Sequence, residues 1–130
     1  MAVNIPVQIY AQEILNERLK SLKSKKFPNL HQSTNTTNFA FDFASFHQPL
    51  ANDDVIGFVD MLEHMSTNKQ LPLLTIFSQK SPSGNSLLHE AASFGNTKIT
   101  KFIVDHFPFL LTKKNILGDS AIHVATKINI

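Results

Sequence analysis

The strongest constraint on this chain is a pattern that occurs twice. Gly84-Asn85-Ser86-Leu87-Leu88-His89-Glu90-Ala91-Ala92 returns as Gly118-Asp119-Ser120-Ala121-Ile122-His123-Val124-Ala125-Thr126, so that Gly, Ser, His and Ala recur at a spacing of 34 residues. A fixed period in the range of about 20–50 residues marks a repeat architecture, in which one supersecondary unit is stacked beside itself. Gly84 and Gly118 suit a tight turn at positive φ. Ser86 and Ser120 stand where a helix N-cap is wanted, and Leu87, Leu88, Ala91 and Ala92 share one side of the helix that follows. Gly95 stops that helix. Asn96 is placed to cap a second one, whose apolar residues Ile99, Phe102 and Ile103 keep helical spacing. Pro108 ends it by disfavouring helix at the preceding residues. One unit therefore reads as turn, short helix, turn, longer helix, loop.

The unit resembles the ankyrin repeat, whose pattern is Thr-Pro-Leu-His-x-Ala. The resemblance runs through Ser86, Leu87, Leu88, His89, Ala91, Ala92, Gly95, Asn96, Ile99 and Phe102, and resumes at Ser120, Ala121, Ile122, His123 and Ala125. Ser replaces Thr, Leu87 and Ala121 replace Pro, Asn96 replaces the second His, and Phe107-Pro108 stands where many repeats carry Gly-Ala. The resemblance implies an all-α stack of helix-turn-helix units, a short solenoid. The repeat-motif positions Gly84, Ser86, Leu88, His89, Ala91, Ala92, Gly95, Gly118, Ser120, His123 and Ala125 then have structural roles, with the recurring His bonding across neighbouring units.

Around this core the chain divides into three parts. Residues 1–26 form an amphipathic basic helix. Val7, Ala11, Ile14, Leu15, Leu19 and Leu22 lie at helical spacing, Lys20, Lys23, Lys25 and Lys26 follow, and Pro6 suits the helix start. The helix either is an amphipathic helix that docks on the repeats or on nothing, or serves as a basic membrane-surface or nuclear-import segment. Residues 27–50 read as a flexible Asn/Thr- and Phe-rich linker, so the N-terminal region is expected to be partly disordered. Within it, Phe39, Phe41 and Phe43 alternate and Phe46 follows, which suggests a short extended segment that packs on the chain or docks on a partner. Residues 51–130 are the repeat region: a degenerate repeat over 51–83, a repeat over 84–117 and a truncated repeat over 118–130. In the first, Val55, Phe58, Val59 and Leu62 make one helical stripe, and Leu71, Leu73, Leu74, Ile76 and Phe77 make an apolar connection expected to pack down.

A narrower similarity covers about residues 51–126. The runs Leu71 to His89 and Phe107 to Asn115, with Gly118-Asp119, are similar to the N-terminal ankyrin region of plant accelerated-cell-death-type proteins. In that group a longer array precedes a PGG membrane domain, and members act in defence and stress signalling at the plasma membrane. The similarity implies a cytoplasmic protein, or one at the cytoplasmic face of the plasma membrane if it acts with full-length relatives.

Composition excludes several function classes. With 130 residues the chain supports one domain. Without Cys it has no disulfide framework or thiolate metal site. A net charge of +2 is too small to imply nucleic acid. No apolar run reaches the roughly 18 residues of a membrane span. The six histidines show no ligand spacing, the four glycines are dispersed rather than gathered in a phosphate loop, and no motif joins Ser, His and Asp as a nucleophilic triad. The expectation is a non-catalytic protein-interaction module without cofactor, metal or small-molecule substrate. Its candidate binding positions are Ser83, Asn85, Glu90, Ser93, Asn115, Leu117 and Asp119. The alternative is a truncated N-terminal regulatory fragment of a membrane-anchored ankyrin protein that associates with full-length relatives, which would be its partners.

Overall fold

The computed structural model describes residues 7–25 and 42–128. Helix α1 spans Val7–Ser24. A 3₁₀ turn at Phe43–Phe46 leads into α2, His47–Asn52. Then come α3, Val55–Lys69, α4, Leu73–Phe77, α5, Leu87–Ser93, and α6, Lys98–His106. A second 3₁₀ segment at Pro108–Thr112 precedes α7, Ala121–Ile128. No strand occurs among the described residues.

Two of the short helices end at a residue in the left-handed conformation. Gly95, at φ +72°, ends α5, and Asp53, at φ 50°, ends α2 in the same left-handed conformation. A non-glycine residue held there has a compensation, and Asp53 has one in its carboxylate. Its two oxygens accept from the backbone N–H groups of Thr97, Lys98 and Ile99 at 3.2, 3.1 and 2.9 Å. These are the orphan donors at the start of α6, so a residue of the α2–α3 turn caps a helix 44 positions later. The next residue, Asp54, caps its own helix by accepting from Gly57 N at 3.1 Å. Gly57 leaves room for that cap, since a Cβ there would stand 2.6 Å from Asp54 Oδ2. Asn96, read from sequence as the cap of α6, does not cap it. Its amide instead donates to Leu50 O at 2.8 Å, which ties α5's end to α2. Asp53→Ala is expected to lower folded stability by about 1–2 kcal/mol, with Asp53→Asn in between, as read by urea denaturation.

The core is a run of aromatic and aliphatic side chains between the long helices. Phe58 of α3 is fully buried and meets Phe46 at 5.3 Å, Phe77 at 6.3 Å and Phe102 at 6.4 Å between ring centroids. Phe77 in turn stacks on Phe107 at 4.0 Å. Of the expected stripe of α3, Phe58, Val59 and Leu62 are buried and Val55 is half-buried against the core. The connection after it packs down as read: Leu71, Leu73, Ile76 and Phe77 are buried, and Leu74 alone of that group is exposed.

Three expectations for the N-terminal part are corrected. Residues 42–50 of the expected linker are ordered in the 3₁₀ turn and α2. Asp42 accepts from Ala44 N at 3.0 Å, and Phe46, Pro49 and Leu50 are buried. Phe43 and Phe46 thus belong to a helical turn rather than an extended segment. Phe39, Phe41 and the linker up to residue 41 lie outside the described residues. The boundary at 51 also falls inside α2, which begins at His47. In α1, Leu15, Leu19 and Leu22 are buried against the chain, so this helix docks on its own protein, whereas Ile14 is left 45 % exposed. Arg18 fixes its rotation on α3 through Glu63 at 3.0 Å and Asp60 at 2.6 Å. The hydrogen bond to Glu63 leads in holding the guanidinium's pKa above its ordinary value. At this exposure the ion pairs contribute under about 1 kcal/mol, and the three leucines carry the docking.

Candidate protein-binding surface

The two glycine turns have the same hydrogen bonds. Ser81 N donates to Asn85 O and Gly84 N to Ser81 O, both at 2.8 Å; 34 residues on, Asn115 N donates to Asp119 O and Gly118 N to Asn115 O, both at 2.9 Å. The side chain at the head of each turn closes it, Ser81 Oγ accepting from Asn85 N and Asn115 Oδ1 from Asp119 N. Sequence recurrence is here a recurrence of local structure.

The helices that follow repeat a second device. Ser86 caps α5, and His89 Nδ1 accepts from Ser86 N at 3.1 Å, forming a capping box with an imidazole in the place usually held by Glu. Ser120 N donates to His123 Nδ1 at 3.3 Å in the same way. Because a backbone N–H points at Nδ1 of His89, the ring proton resides on Nε2, which donates to Asp119 O at 2.9 Å. His89 is fully buried, whereas His123 is exposed. One histidine therefore joins its own helix start to the next turn.

Of the seven binding positions read from sequence, Ser83, Asn85, Asn115, Leu117 and Asp119 lie in these turns, Glu90 joins them through Asn85, and Ser93 lies apart at the far end of α5; most are committed to the chain. Asn115 Nδ2 donates to Asn85 Oδ1 at 3.0 Å, and Asn85 Nδ2 donates to Glu90 Oε2 at 3.1 Å. Ser83 O accepts from Ile116 N at 3.0 Å, which zips the two turn tips side by side. The fit is close at Gly84, where a Cβ would stand 3.0 Å from Ile116 N. Asp119 pairs with Lys127, and that hydrogen bond leads in holding its carboxyl below the usual range; the pairing is therefore present at neutral pH and lost only in acid. Left facing solvent are Ser83, Ser93 and Leu117, the last 76 % exposed. Ile116 beside it is 73 % exposed. Sequence reading missed Ile116, although an apolar pair just before Gly118 was the signal for it.

A hollow of about 870 Å³ lies between α1, the start of α3 and α6. Its acidic groups are already engaged: Asp53 and Asp54 cap helices, and Asp105 pairs with Lys101 at 2.8 Å. His106 at its edge donates from Nε2 to Asn16 Oδ1 at 3.2 Å, and burial, then Lys23, lower its pKa. Among the described residues no group of three His, Asp or Glu side chains is set to hold a metal, and no helix is long and apolar enough to cross a membrane. Compared with protein-family models, curated proteins and solved structures, the chain has no match.

Proposed function

We propose that the chain is a non-catalytic protein-interaction module of ankyrin type, in which the 34-residue units stack as a short solenoid and the turn tips meet the partner. The observation that carries this reading is the pair of zipped tips, held from behind by His89, that leaves Ile116 and Leu117 exposed on a rigid base. Exposed apolar side chains on a well-braced loop mark contact sites, because binding them requires little further ordering of the chain. Ser83, exposed beside them, extends the surface. Repeat stacks recognise proteins through such loop and helix positions rather than through reactive groups. On the resemblance of residues 51–126 to plant ankyrin proteins, the role proposed with it is one in defence or stress signalling.

Partners recovered with the full chain by affinity capture are expected to lose at least about tenfold in affinity when Leu117→Ser and Ile116→Ser are combined, as expected for central apolar anchors. The exposed Ile56→Ser on α3 is expected to change nothing. Retention of every partner by the tip variant, with its helix content unchanged, would overturn the reading.

A further inference from the structure

Ser81 heads the first glycine turn, and of the six prolines in the chain Pro82 alone follows a Ser or Thr. Pro82 and Ser83 are exposed and Ser81 is half-buried. No residue from 78 to 85 is buried, so hydrogen bonds rather than core packing hold the turn: Ser81 N to Asn85 O, Gly84 N to Ser81 O, Asn85 N to Ser81 Oγ, and Ile116 N to Ser83 O. A segment held in this way opens locally at much lower cost than the core. Ser81 Oγ accepts one hydrogen bond and donates none among the described residues, which leaves its proton for an incoming base.

The second turn shows what the first one lacks. Asn115 holds the place of Ser81 34 residues on, and its Oδ1 accepts from two backbone N–H groups, Leu117 N at 3.0 Å and Asp119 N at 2.9 Å. The shorter Ser81 accepts only from Asn85 N, at 3.1 Å. Ser83 N, the counterpart of Leu117 N, has no acceptor among the described residues. A phosphate on Ser81 brings a charge of about −1.5 to −2 at neutral pH and acceptor oxygens set farther from the backbone, which supplies the missing acceptor.

We infer that Ser81 is a phosphorylation site for a protein kinase that requires proline after its acceptor, and that the phosphate is held at the tip by Ser83 N–H. Pro82 provides the recognition. It has no backbone N–H, so a kinase pocket that offers no acceptor there rejects other residues by leaving their N–H unpaired. In the transfer, the kinase's base takes the Ser81 hydroxyl proton and Oγ bonds to the γ-phosphorus of Mg-ATP. The bond from that phosphorus to the bridging oxygen breaks, and ADP leaves. The contact between Ser83 O and Ile116 N sets the new charge beside Ile116 and Leu117, where it opposes their burial by an apolar partner; that consequence rests on the tip reading, whereas the site itself does not.

The test incubates the full chain with a purified proline-directed Ser/Thr kinase, magnesium and ATP, and locates the acceptor by peptide mass spectrometry. Transfer to Ser81 is expected. Ser81→Ala is expected to abolish it, Ser83→Ala to leave it unchanged, and Pro82→Ala to slow it at least about tenfold, the effect of one unpaired N–H in the kinase pocket. Far-UV circular dichroism checks that each variant folds as the parent does. In the phosphorylated ¹⁵N-labelled chain, the Ser83 amide resonance is expected to move downfield as pH rises through about 6 and the phosphate takes its second charge. Ile116→Ser combined with Leu117→Ser is expected to be phosphorylated like the parent, which separates failure of the site from failure of the tip reading. No transfer to Ser81, comparable transfer to other hydroxyls, or indifference to Pro82→Ala would overturn the site. A Ser83 amide that does not respond to the phosphate would overturn its placement at the tip.

Discussion

Phe58→Ala is expected to lower folded stability by about 3–5 kcal/mol, the usual range for removing a fully buried ring from a core. The ring is in contact with Phe46 of the first 3₁₀ turn, Phe77 of α4 and Phe102 of α6, so one truncation opens a cavity shared by four elements. Small domains have a total stability of about 5–15 kcal/mol, so the variant is left with a small margin or none. Phe58→Leu keeps most of the volume and loses the ring contacts, and is expected to fall about 1–2 kcal/mol below the parent. Urea denaturation followed by far-UV circular dichroism measures both. Leu74→Ala, at an exposed position on α4, is the control and is expected to stay within about 0.5 kcal/mol of the parent. A Phe58→Ala chain no less stable than that control would show that the aromatic cluster does not hold the long helices together.

His89→Ala is expected to cost about 2–4 kcal/mol, whereas His123→Ala, the same change at the equivalent place 34 residues on, is expected to cost less than about 1 kcal/mol. Both histidines accept from the N–H of a capping serine three residues earlier. Only His89 is buried, and only its Nε2 donates to the neighbouring turn at Asp119 O. Its removal leaves Ser86 N without that acceptor, leaves Asp119 O with Asn115 N alone, and opens a cavity beneath the zipped tips. The difference between the two variants is therefore the contribution of the contact between units, separated from the contribution of the cap within one unit. Equal losses from the same urea series would mean that the histidine acts only as a cap.

What the sequence disclosed follows from how local each interaction is. Ser86 was legible as a cap because its partner lies within one helical turn and because the pattern is written twice, whereas the reach of His89 to the next unit came only from the resemblance and its bond to Ser86 N was not read. The positive-φ glycines at 84, 95 and 118 were legible for the same reason, each sitting at a break in helical periodicity. The cap of α6 was not. A search for a capping side chain looks just before the helix and finds Asn96, but the carboxylate that reaches Thr97, Lys98 and Ile99 comes from Asp53, brought there by the packing of α2 against the end of α5. Phe43 and Phe46 were misread because alternation over four residues cannot be told from the start of a helical turn when the preceding stretch is polar. The binding positions were chosen by their place in the unit, which located the turn tips. It could not show that Asn85, Glu90 and Asn115 turn toward one another, that Asp119 turns to Lys127, and that the apolar pair Ile116 and Leu117 is left outside. That distinction depends on the two turns lying side by side, which no single turn encodes.

The most direct test of the stacked-unit account is the hydrogen exchange of the two histidine ring protons, followed by nuclear magnetic resonance in the ¹⁵N-labelled chain. The account predicts that His89 holds a single tautomer with its proton on Nε2, that this proton is strongly protected, and that the multiple-bond nitrogen pattern shows Nδ1 as an acceptor. His123, with the same cap and an exposed ring, is predicted to show no protection at Nε2. Equal, rapid exchange at both rings, or a His89 proton resident on Nδ1, would contradict the bridge to Asp119 and with it the claim that the 34-residue pattern is a stacking unit.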